Sequence, residues 1–258
     1  MKEDYRLEQI VILLAEQKLV KTVELMKRFD VSGETIRRDL IRLEQTGILR
    51  RVYGGAVSDN LRGHEITYAS REASNLKEKQ AIGQAAAELV QDGETIVLNS
   101  GTTTMEVARW LCKKRSNLIV ITNCIYIAVA MQNCENARIF LVGGELRREE
   151  MATSGALGNA FLSRFRADKA IISIGGIDAC SGVTDYHIEE ACIWRDMIAI
   201  AGKVIVVADH TKFGISALNV ICDSSDIDYL VTDWSTPGKE LNKYKKLGTA
   251  VIAAPEPV

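Results

Sequence analysis

The sequence lacks any long hydrophobic run. No segment reaches the roughly 20 consecutive apolar residues of a membrane-spanning helix, and the start, MKEDYRLEQ, carries charges where a secretory signal peptide needs an apolar stretch. We therefore expect a cytoplasmic protein that does not contact a membrane. With 47% hydrophobic and 26% charged residues in 258, the composition is that of an ordinary globular protein. The length suits two domains.

Motifs for metals and nucleotides are also missing from the sequence. The six cysteines are scattered singly, without a CxxC pair or a histidine at metal-ligand spacing, so we expect reduced thiols in the core and no metal site. Neither a P-loop nor a GxGxxG turn occurs, and we expect no cofactor. Net charge is only −2, but residues 1–57 hold 11 basic and 9 acidic residues, which weakly favours nucleic acid as a partner of this segment.

Residues 1–57 have the pattern of a winged helix-turn-helix. Apolar residues at helical spacing predict a helix over residues 3–17, a second helix capped by Thr22, and a third helix capped by Ser32 and ended by Gly47. In the third helix, Ile36, Leu40 and Leu43 recur at the spacing of a buried stripe. Two β-prone runs around a glycine pair in 48–57 predict a hairpin, the wing.

The third helix carries three arginines away from its buried stripe. Arginine binds guanine through two hydrogen bonds or pairs with phosphate, and a recognition helix presents such groups to the major groove. Two further arginines begin the wing. Solvated surface charges are the alternative interpretation of the run Arg37-Arg38-Asp39, but the helix cap and the wing favour operator DNA. The predicted DNA-contacting residues are Ser32, Glu34, Thr35, Arg37, Arg38, Arg42, Arg50 and Arg51.

The remainder of the chain predicts a linker over 58–74 and an α/β domain over 75–258. Polar residues without a period indicate the linker. Beyond it, short Val/Ile/Leu runs alternate with helical patterns, which is typical of a mostly parallel sheet covered on both faces. Ligands of such sheets bind beyond the carboxyl ends of the strands. The seven predicted strands are 95–98, 118–122, 138–142, 169–174, 204–208, 229–232 and 250–253.

The segment Asn99-Ser-Gly-Thr-Thr-Thr104 lies between a predicted strand and a predicted helix. Glycine and hydroxyl residues at a helix N-terminus offer backbone N–H groups and side-chain donors to an anion. The motif predicts a phosphate site, although a capped helix without a ligand would have the same sequence.

Polar residues and glycine pairs follow other predicted strands and should meet at the same edge. Each has an ordinary alternative: a glycine pair forms a turn, Asp178 caps a loop, and Lys212 is a solvated charge. Together they favour a polar pocket. The predicted effector-binding residues are Asn99, Ser100, Gly101, Thr102, Thr103, Thr122, Asn123, Gly143, Gly144, Asp178, Glu189 and Lys212.

These motifs resemble the DeoR family of bacterial transcriptional regulators. The family's V-S-x-x-T-I-R-R-D-L pattern is similar to residues 31–40, and the G-G-A that ends its wing to 54–56. Its D-S-G-T-T, T-N, G-G, G-I-D and D-x-[ST]-K-F elements follow in order at 99–103, 122–123, 143–144, 176–178 and 209–213, with Asn99 in place of the family's usual Asp.

The resemblance implies a sensor domain with the fold of ribose-5-phosphate isomerase and glucosamine-6-phosphate deaminase. It also implies a phosphorylated sugar or sugar alcohol as effector, and repression that the effector relieves. Winged domains usually read paired half-sites as dimers, so we expect a homodimer or homotetramer.

Two other functions remain open on the sequence. A sugar-phosphate isomerase or deaminase would use carboxylates with a lysine or histidine, and Asp178, His187, Glu189 and Lys212 are candidate parts. A fold does not carry its function with it, however, and we expect a non-enzyme. A scaffold whose third helix docks on protein is the second alternative, and salt-dependent binding to duplex DNA would distinguish it from a regulator.

Overall fold

The computed structural model describes residues 3–17, 19–45, 49–58 and 68–257, and the chain divides into two units, residues 1–66 and 67–258. None of the helices within these ranges is long and apolar enough to cross a membrane. The first unit consists, in chain order, of α1 (Glu3–Gln17), β1 (Leu19–Lys21), α2 (Thr22–Phe29), α3 (Gly33–Gln45), β2 (Leu49–Val52) and β3 (Gly55–Ser58).

The predicted helices of the first unit are present. The stripe of α3 is buried, with Ile36, Leu40 and Leu43 at 0%, 2% and 6% exposure, and it packs into one core with residues of α1 and α2. Ser32 caps α3 as predicted, since its Oγ accepts the N–H of Thr35 at 3.2 Å. The cap predicted for α2 is wrong: the helix already includes Thr22, and the residue before it makes no side-chain cap. Gly47 lies outside the described residues.

The wing is a three-stranded antiparallel sheet. Strands β2 and β3 form the predicted hairpin, with Leu49 opposite Ser58. Strand β1, which the sequence did not predict, adds to β3 through Val20 opposite Ala56. This pairing requires glycine at Gly55, because a Cβ there would lie 2.1 Å from the carbonyl oxygen of Val20. The wing is therefore fixed to the segment between α1 and α2.

The second unit is an α/β domain. Its elements, in chain order, are α4 (Tyr68–Ala73), α5 (Leu76–Glu88), β4 (Thr95–Leu98), α6 (Thr102–Lys114), β5 (Ile119–Thr122), α7 (Ile125–Ala130), β6 (Arg138–Leu141), β7 (Glu145–Arg147), β8 (Ala152–Ser154), α8 (Ala156–Leu162), β9 (Ala167–Ser173), β10 (Gly176–Asp178), β11 (Gly182–Asp185), α9 (Ile188–Ala199), β12 (Ala201–Val207), β13 (Asn219–Cys222), β14 (Tyr229–Asp233), α10 (Gly238–Lys246) and β15 (Ala250–Ala254).

All seven predicted strands lie in one sheet, in the order β15-β14-β12-β9-β4-β5-β6, and every neighbouring pair is parallel. Both faces are buried: Ile96 and Leu98 pack into one core cluster, whereas Val97 between them packs into the other. The chain proceeds from β4 toward one edge and then returns to place β9 on the other side of β4. The order of the strands thus reverses between β4 and β9.

Short antiparallel strands follow several strands of the large sheet in the chain and form sheets of their own. Strands β7 and β8 form a hairpin, and β10, β11 and β13 form a separate small sheet. The sequence did not predict these strands. Nor is the predicted linker entirely irregular: residues 68–73 form α4, because Tyr68 is buried against Tyr126, with ring centroids 5.2 Å apart. Residues 59–67 lie outside the described part of the chain.

The cysteines differ from the prediction of reduced core thiols. Cys112 near the end of α6 forms a disulfide with Cys134, because the turn after α7 brings their Cα atoms to 4.6 Å. Cys180 is exposed rather than buried, and Cys124 is a buried free thiol. Burial raises the pKa of Cys124, so this thiol stays protonated at neutral pH.

Candidate functional site

The exposed face of α3 carries the predicted DNA-contacting groups. The side chains of Arg37 and Arg38 are 64% and 78% exposed, and each lies 3.5 Å from the carboxylate of Glu34. Ion pairs this exposed contribute little stability, so both guanidinium groups can turn to another partner. Ser32 and Thr35 bond to each other at 3.0 Å through their hydroxyls, which places them in the cap at the start of the helix. Arg42 is also exposed.

Asp39 differs from its arginine neighbours. It is 3% exposed, and Arg6 of α1 donates to its two oxygens at 2.5 and 3.0 Å. The bidentate pair joins α1 to α3 beneath the exposed face. Asp39 is therefore part of the core, not one of the solvated charges that the sequence suggested as an alternative.

The wing adds a second exposed polar surface to the first unit. Arg51 pairs with Glu44 of α3, with its Nε at 2.7 Å from a carboxylate oxygen. The backbone N–H of Arg51 bonds to the same carboxylate and, with the side-chain bond, lowers the pKa of Glu44. Tyr53 at the turn is fully exposed, a feature that the sequence analysis did not use. The side chain of Arg50 lies outside the described residues.

In the second unit, the predicted phosphate loop lies where the order of the strands reverses. Residues 99–101 join the end of β4 to the start of α6, and Ser173 ends the neighbouring strand β9. In open α/β sheets the crevice at such a reversal is where ligands bind. The first turn of α6 presents backbone N–H groups that have no acceptor within the helix. The loop therefore has the position and the donors of an anion site.

Ser100 contributes a hydroxyl without a partner. The residue is 4% exposed, and its Oγ makes no hydrogen bond to any of the described residues. A buried hydroxyl without a partner costs about 1–3 kcal/mol. Its backbone is nevertheless fixed, since the N–H donates to Asn123 Oδ1 at 3.1 Å. A buried polar group without a protein partner requires an explanation, and a bound ligand would provide one.

Asn99 ties the two central strands together. Its Nδ2 donates to the carbonyl of Ser173 at 2.8 Å, and its Oδ1 accepts the backbone N–H of Ser173 at 2.9 Å. The side chain is fully buried. An aspartate could accept the second bond but could not donate the first while ionised. In this chain, the amide of Asn99 thus links the end of β4 to the end of β9, at a position where the family usually has Asp.

Gly101 is required by the close approach of β9. A Cβ at this position would lie 1.8 Å from Ser173 Oγ and 3.0 Å from Ser173 Cβ. Any side chain at residue 101 would therefore displace the side chain of Ser173 at the end of β9. Thr102 and Thr103 follow at the buried start of α6, with 7% and 5% exposure.

The predicted residues at the end of β5 and directly after it support the loop. Asn123 accepts from Ser100 and donates its Nδ2 to the carbonyl of Thr153 in β8 at 2.9 Å. Thr122 Oγ1 accepts the N–H of Cys124 at 3.1 Å. The structure therefore brings Asn99, Ser100 and Asn123 together, as the sequence predicted, but occupies two of these three side chains with the protein's own backbone.

Other predicted effector residues lie in turns or at the surface. Gly144 has φ +148°, and a Cβ there would meet Ser154 O at 2.2 Å, while Gly143 before it is exposed. Asp178 Oδ1 accepts the N–H groups of residues 180 and 181 at 3.0 and 3.1 Å, and these bonds lower the pKa of its carboxyl. Glu189 is exposed, and Lys212 is half-buried. Asp178 thus caps a turn, the ordinary alternative stated above.

The structure identifies two buried charges that the sequence analysis did not select. Glu190, next to the predicted Glu189, is 3% exposed and lies 3.0 Å from Arg147 Nη1. Lys79 of α5 is also 3% exposed. Burial, together with the charges of Lys212 and Arg71, lowers its pKa to about 8, against the opposing effect of Asp209. The helical periodicity of the first turn of α9 could have predicted that Glu190 is buried and Glu189 exposed.

Solved structures of low sequence identity are similar to part of the chain. Ribose 5-phosphate isomerase A from Methanocaldococcus jannaschii superposes with a TM-score of 0.40 at 16% identity, over 54% of this chain and 55% of that one. The eIF2B delta protein from Chaetomium thermophilum gives a TM-score of 0.44 at 16% identity, over 62% and 56% of the two chains.

Curated relatives match almost the whole chain. The transcriptional repressor AccR of Agrobacterium fabrum is 36% identical over 90% of both chains. The glycerol-3-phosphate regulon repressor of Escherichia coli K12 is 35% identical over 92% of this chain and 93% of its own. A third relative, the repressor GlcR of Bacillus subtilis, is 33% identical over 90% and 89%.

Two family models cover both units. The model of the DeoR-like helix-turn-helix domain matches residues 6–62, and that of the DeoR C terminal sensor domain matches residues 74–234. The helix cap, the wing and the loop after β4 all fall within these matches. The chain therefore belongs to the DeoR family, as a DNA-binding transcriptional regulator with a C-terminal sensor domain.

Proposed function

We propose that this protein represses a carbohydrate-utilisation operon and that a phosphorylated sugar or sugar alcohol modulates its binding to operator DNA. One observation carries the effector assignment: a buried hydroxyl without a partner, Ser100 Oγ, stands beside the free N–H groups of α6 at the reversal of the sheet. A phosphate would satisfy both sets of donors. The relatives named as repressors support the regulatory function.

The repressor acts without catalysis in this proposal. Of the candidate catalytic groups, Asp178 is bonded within its own turn and Glu189 is exposed. His187 Nε2 lies 2.7 Å from Arg147. A change in DNA affinity requires only that the effector bind one state of the protein more tightly than another. Turnover of a sugar phosphate by the purified protein would contradict this part of the proposal.

Ser100→Ala tests the effector site. We expect the variant to bind a phosphorylated sugar at least about tenfold more weakly, since a hydrogen bond to a charged group contributes roughly 1.5–3 kcal/mol. We also expect the ligand-free variant to be at least as stable as the parent, because the lost hydroxyl had no partner. Thermal shift with glucose 6-phosphate, glycerol 3-phosphate and their unphosphorylated parents measures both quantities.

Thr104→Val is the matched control. The Thr104 hydroxyl donates to the carbonyls of Asn99 and Gly101, at 2.9 and 3.0 Å, so its removal should lower stability. The two hydroxyl deletions, four residues apart, should therefore change stability in opposite directions. Equal affinity of the parent for phosphorylated and unphosphorylated forms would remove the phosphate from the proposal.

Arg37→Ala and Arg38→Ala test the DNA-reading face. A residue that reads a base should lose roughly 1–3 kcal/mol at the cognate operator. A phosphate contact should instead weaken all duplexes alike and reduce the salt slope by about one. Fluorescence anisotropy with operator and scrambled duplexes separates the two outcomes.

Arg164→Ala provides the control for the arginine variants, because it removes the same charge from an exposed position in the second unit. It should leave operator affinity unchanged. If both α3 variants bind the operator as tightly as the parent, α3 is not the recognition helix. We also propose that the protein reads paired half-sites as a homodimer or homotetramer, which sedimentation with one and two half-sites would test.

A further inference from the structure

Helix α4, the first described element of the second unit, is anchored by three contacts. The Tyr68 ring packs on Tyr126, and the Arg71 guanidinium pairs with Glu150, with side-chain exposures of 16% and 4%. Lys79 Nζ donates to the carbonyls of Arg71 and Ser74. In sequence, residues 59–67 connect this helix to the last strand of the first unit. The chain that leaves the DNA-binding unit therefore enters the sensor through a helix held by buried charges.

The acceptor of this ion pair belongs to the hairpin that supports the phosphate loop. Glu150 lies in the turn between β7 and β8, and the next residue, Met151, accepts the N–H of Ile125 at 2.8 Å. Strand β8 then provides Thr153, whose carbonyl accepts from Asn123, and Asn123 accepts the N–H of Ser100. One connected set of hydrogen bonds thus joins the loop after β4 to the hairpin that holds α4.

We propose that α4 transmits effector binding to the DNA-binding unit, with the Arg71–Glu150 ion pair as the latch that holds the helix docked. The inference rests on the proposed function and names the regulation of its effector site. A phosphate beside Ser100 acts on the backbone that Asn123 fixes, and Asn123 in turn holds the hairpin that carries Glu150. The effector therefore binds the docked arrangement of α4 and the released one with different affinities, as a coupling element requires.

The ion pair gives the latch two distinct states. A buried carboxylate that loses its partner is strongly destabilised, so partial release of α4 is unfavourable and the helix is either docked or free. The low exposure of Glu150 places it in this class. A second ion pair on the same helix, Glu72 with Arg109, is 3.7 Å long and about half exposed, and it should contribute little.

The test compares the effector response of full-length variants. Operator affinity is measured with and without saturating glucose 6-phosphate, glycerol 3-phosphate or N-acetylglucosamine 6-phosphate, on a duplex selected by the parent from a random pool. The parent should change affinity by about 5–150-fold with one probe. Arg71→Met should reduce this factor to less than about twofold. The variant should still bind the probe and the operator, and the probe should protect α4 amides from hydrogen exchange in the parent alone.

Glu72→Gln is the matched control and should respond like the parent. Glu150→Gln should repeat the loss seen in Arg71→Met, which keeps the test available if one variant fails to fold. The double variant should lose no more than either single one, because both changes break the same pair. If Arg71→Met and Glu150→Gln respond like the parent, the latch is refuted while the proposed function stands. If no probe changes the parent's operator affinity, both are refuted.

Discussion

Gly101→Ala should destabilise the second unit through two close contacts with Ser173. The new Cβ would lie 1.8 Å from the hydroxyl oxygen and 3.0 Å from the Cβ of Ser173. Rotating the hydroxyl relieves the first contact but not the second, so strands β4 and β9 must separate slightly. Overpacking of this kind costs about 1–3 kcal/mol. For a unit of this size, 2 kcal/mol corresponds to a fall in Tm of about 4–8 °C.

Ser173→Gly supplies the compensating change. Alone it should cost about 1 kcal/mol, from a more flexible backbone and a lost hydroxyl bond to Asn99. In its presence, Gly101→Ala should cost much less, because both contacts with Ser173 are removed and only the 3.2 Å approach to Thr104 Oγ1 remains. The expected coupling between the two substitutions is therefore at least about 1 kcal/mol.

Urea denaturation followed by tryptophan fluorescence measures this coupling. The chain has three tryptophans, at positions 110, 194 and 234, and all lie in the second unit, so unfolding of the DNA-binding unit does not contribute. Additive effects of the two substitutions would refute the contact as the reason for glycine at this position. An unchanged urea midpoint for Gly101→Ala alone would also refute the contact with Ser173 as the reason for glycine.

Three further predictions follow from buried or paired groups. Asp39→Ala should cost the first unit about 3–5 kcal/mol, because it leaves Arg6 buried without its carboxylate, and thermal melts by circular dichroism should show an early loss of helix. His210 bonds to Asp233 at 3.1 Å, and this bond raises the pKa of His210. The bond should therefore stabilise the fold fully below about pH 6.5, and this stabilisation should be lost as pH rises through the folded-state pKa. A His210→Gln variant, compared with the parent in melts from pH 5 to 9, should lack this pH dependence. Reduction of the disulfide between α6 and the turn after α7, which closes a loop of 22 residues, should cost about 3 kcal/mol, and an unchanged melting curve in dithiothreitol would contradict its contribution.

The sequence predicted those helices and strands that have an uninterrupted run or a regular spacing of apolar residues. The seven parallel strands appear as apolar runs because both of their faces are buried. Helix α3 carried its own cap and stripe, so residues 32–43 alone predicted this helix. Three-residue strands such as β1, β7 and β8 give no such pattern, because their pairing depends on contacts remote in the sequence.

For the candidate site, the sequence predicted that several residues lie at one edge of the sheet but not what their side chains bond to. Strand ends and helix starts identified Ser100 and Asn123, since all parallel strands end at one edge. What each side chain bonds to depends on its neighbours across the sheet, and the Asn99–Ser173 bonds join residues 74 positions apart. Burial of Lys79 likewise follows from the packing of α5 on α6. Local sequence composition shows neither the Asn99–Ser173 bonds nor the burial of Lys79.

The central position of β9 has a consequence for protein synthesis. Both sides of the proposed anion site, β4 and β9, must be present before the sheet can close around it, whereas β3, the last described strand of the DNA-binding unit, is made much earlier. At roughly 5–20 residues per second, the ribosome needs on the order of ten seconds to travel from the wing to Ser173. During that interval a nascent chain contains the DNA-binding unit without a complete sensor domain. Under the proposed function, regulation by a metabolite can therefore begin only well after the DNA-binding unit has been synthesised.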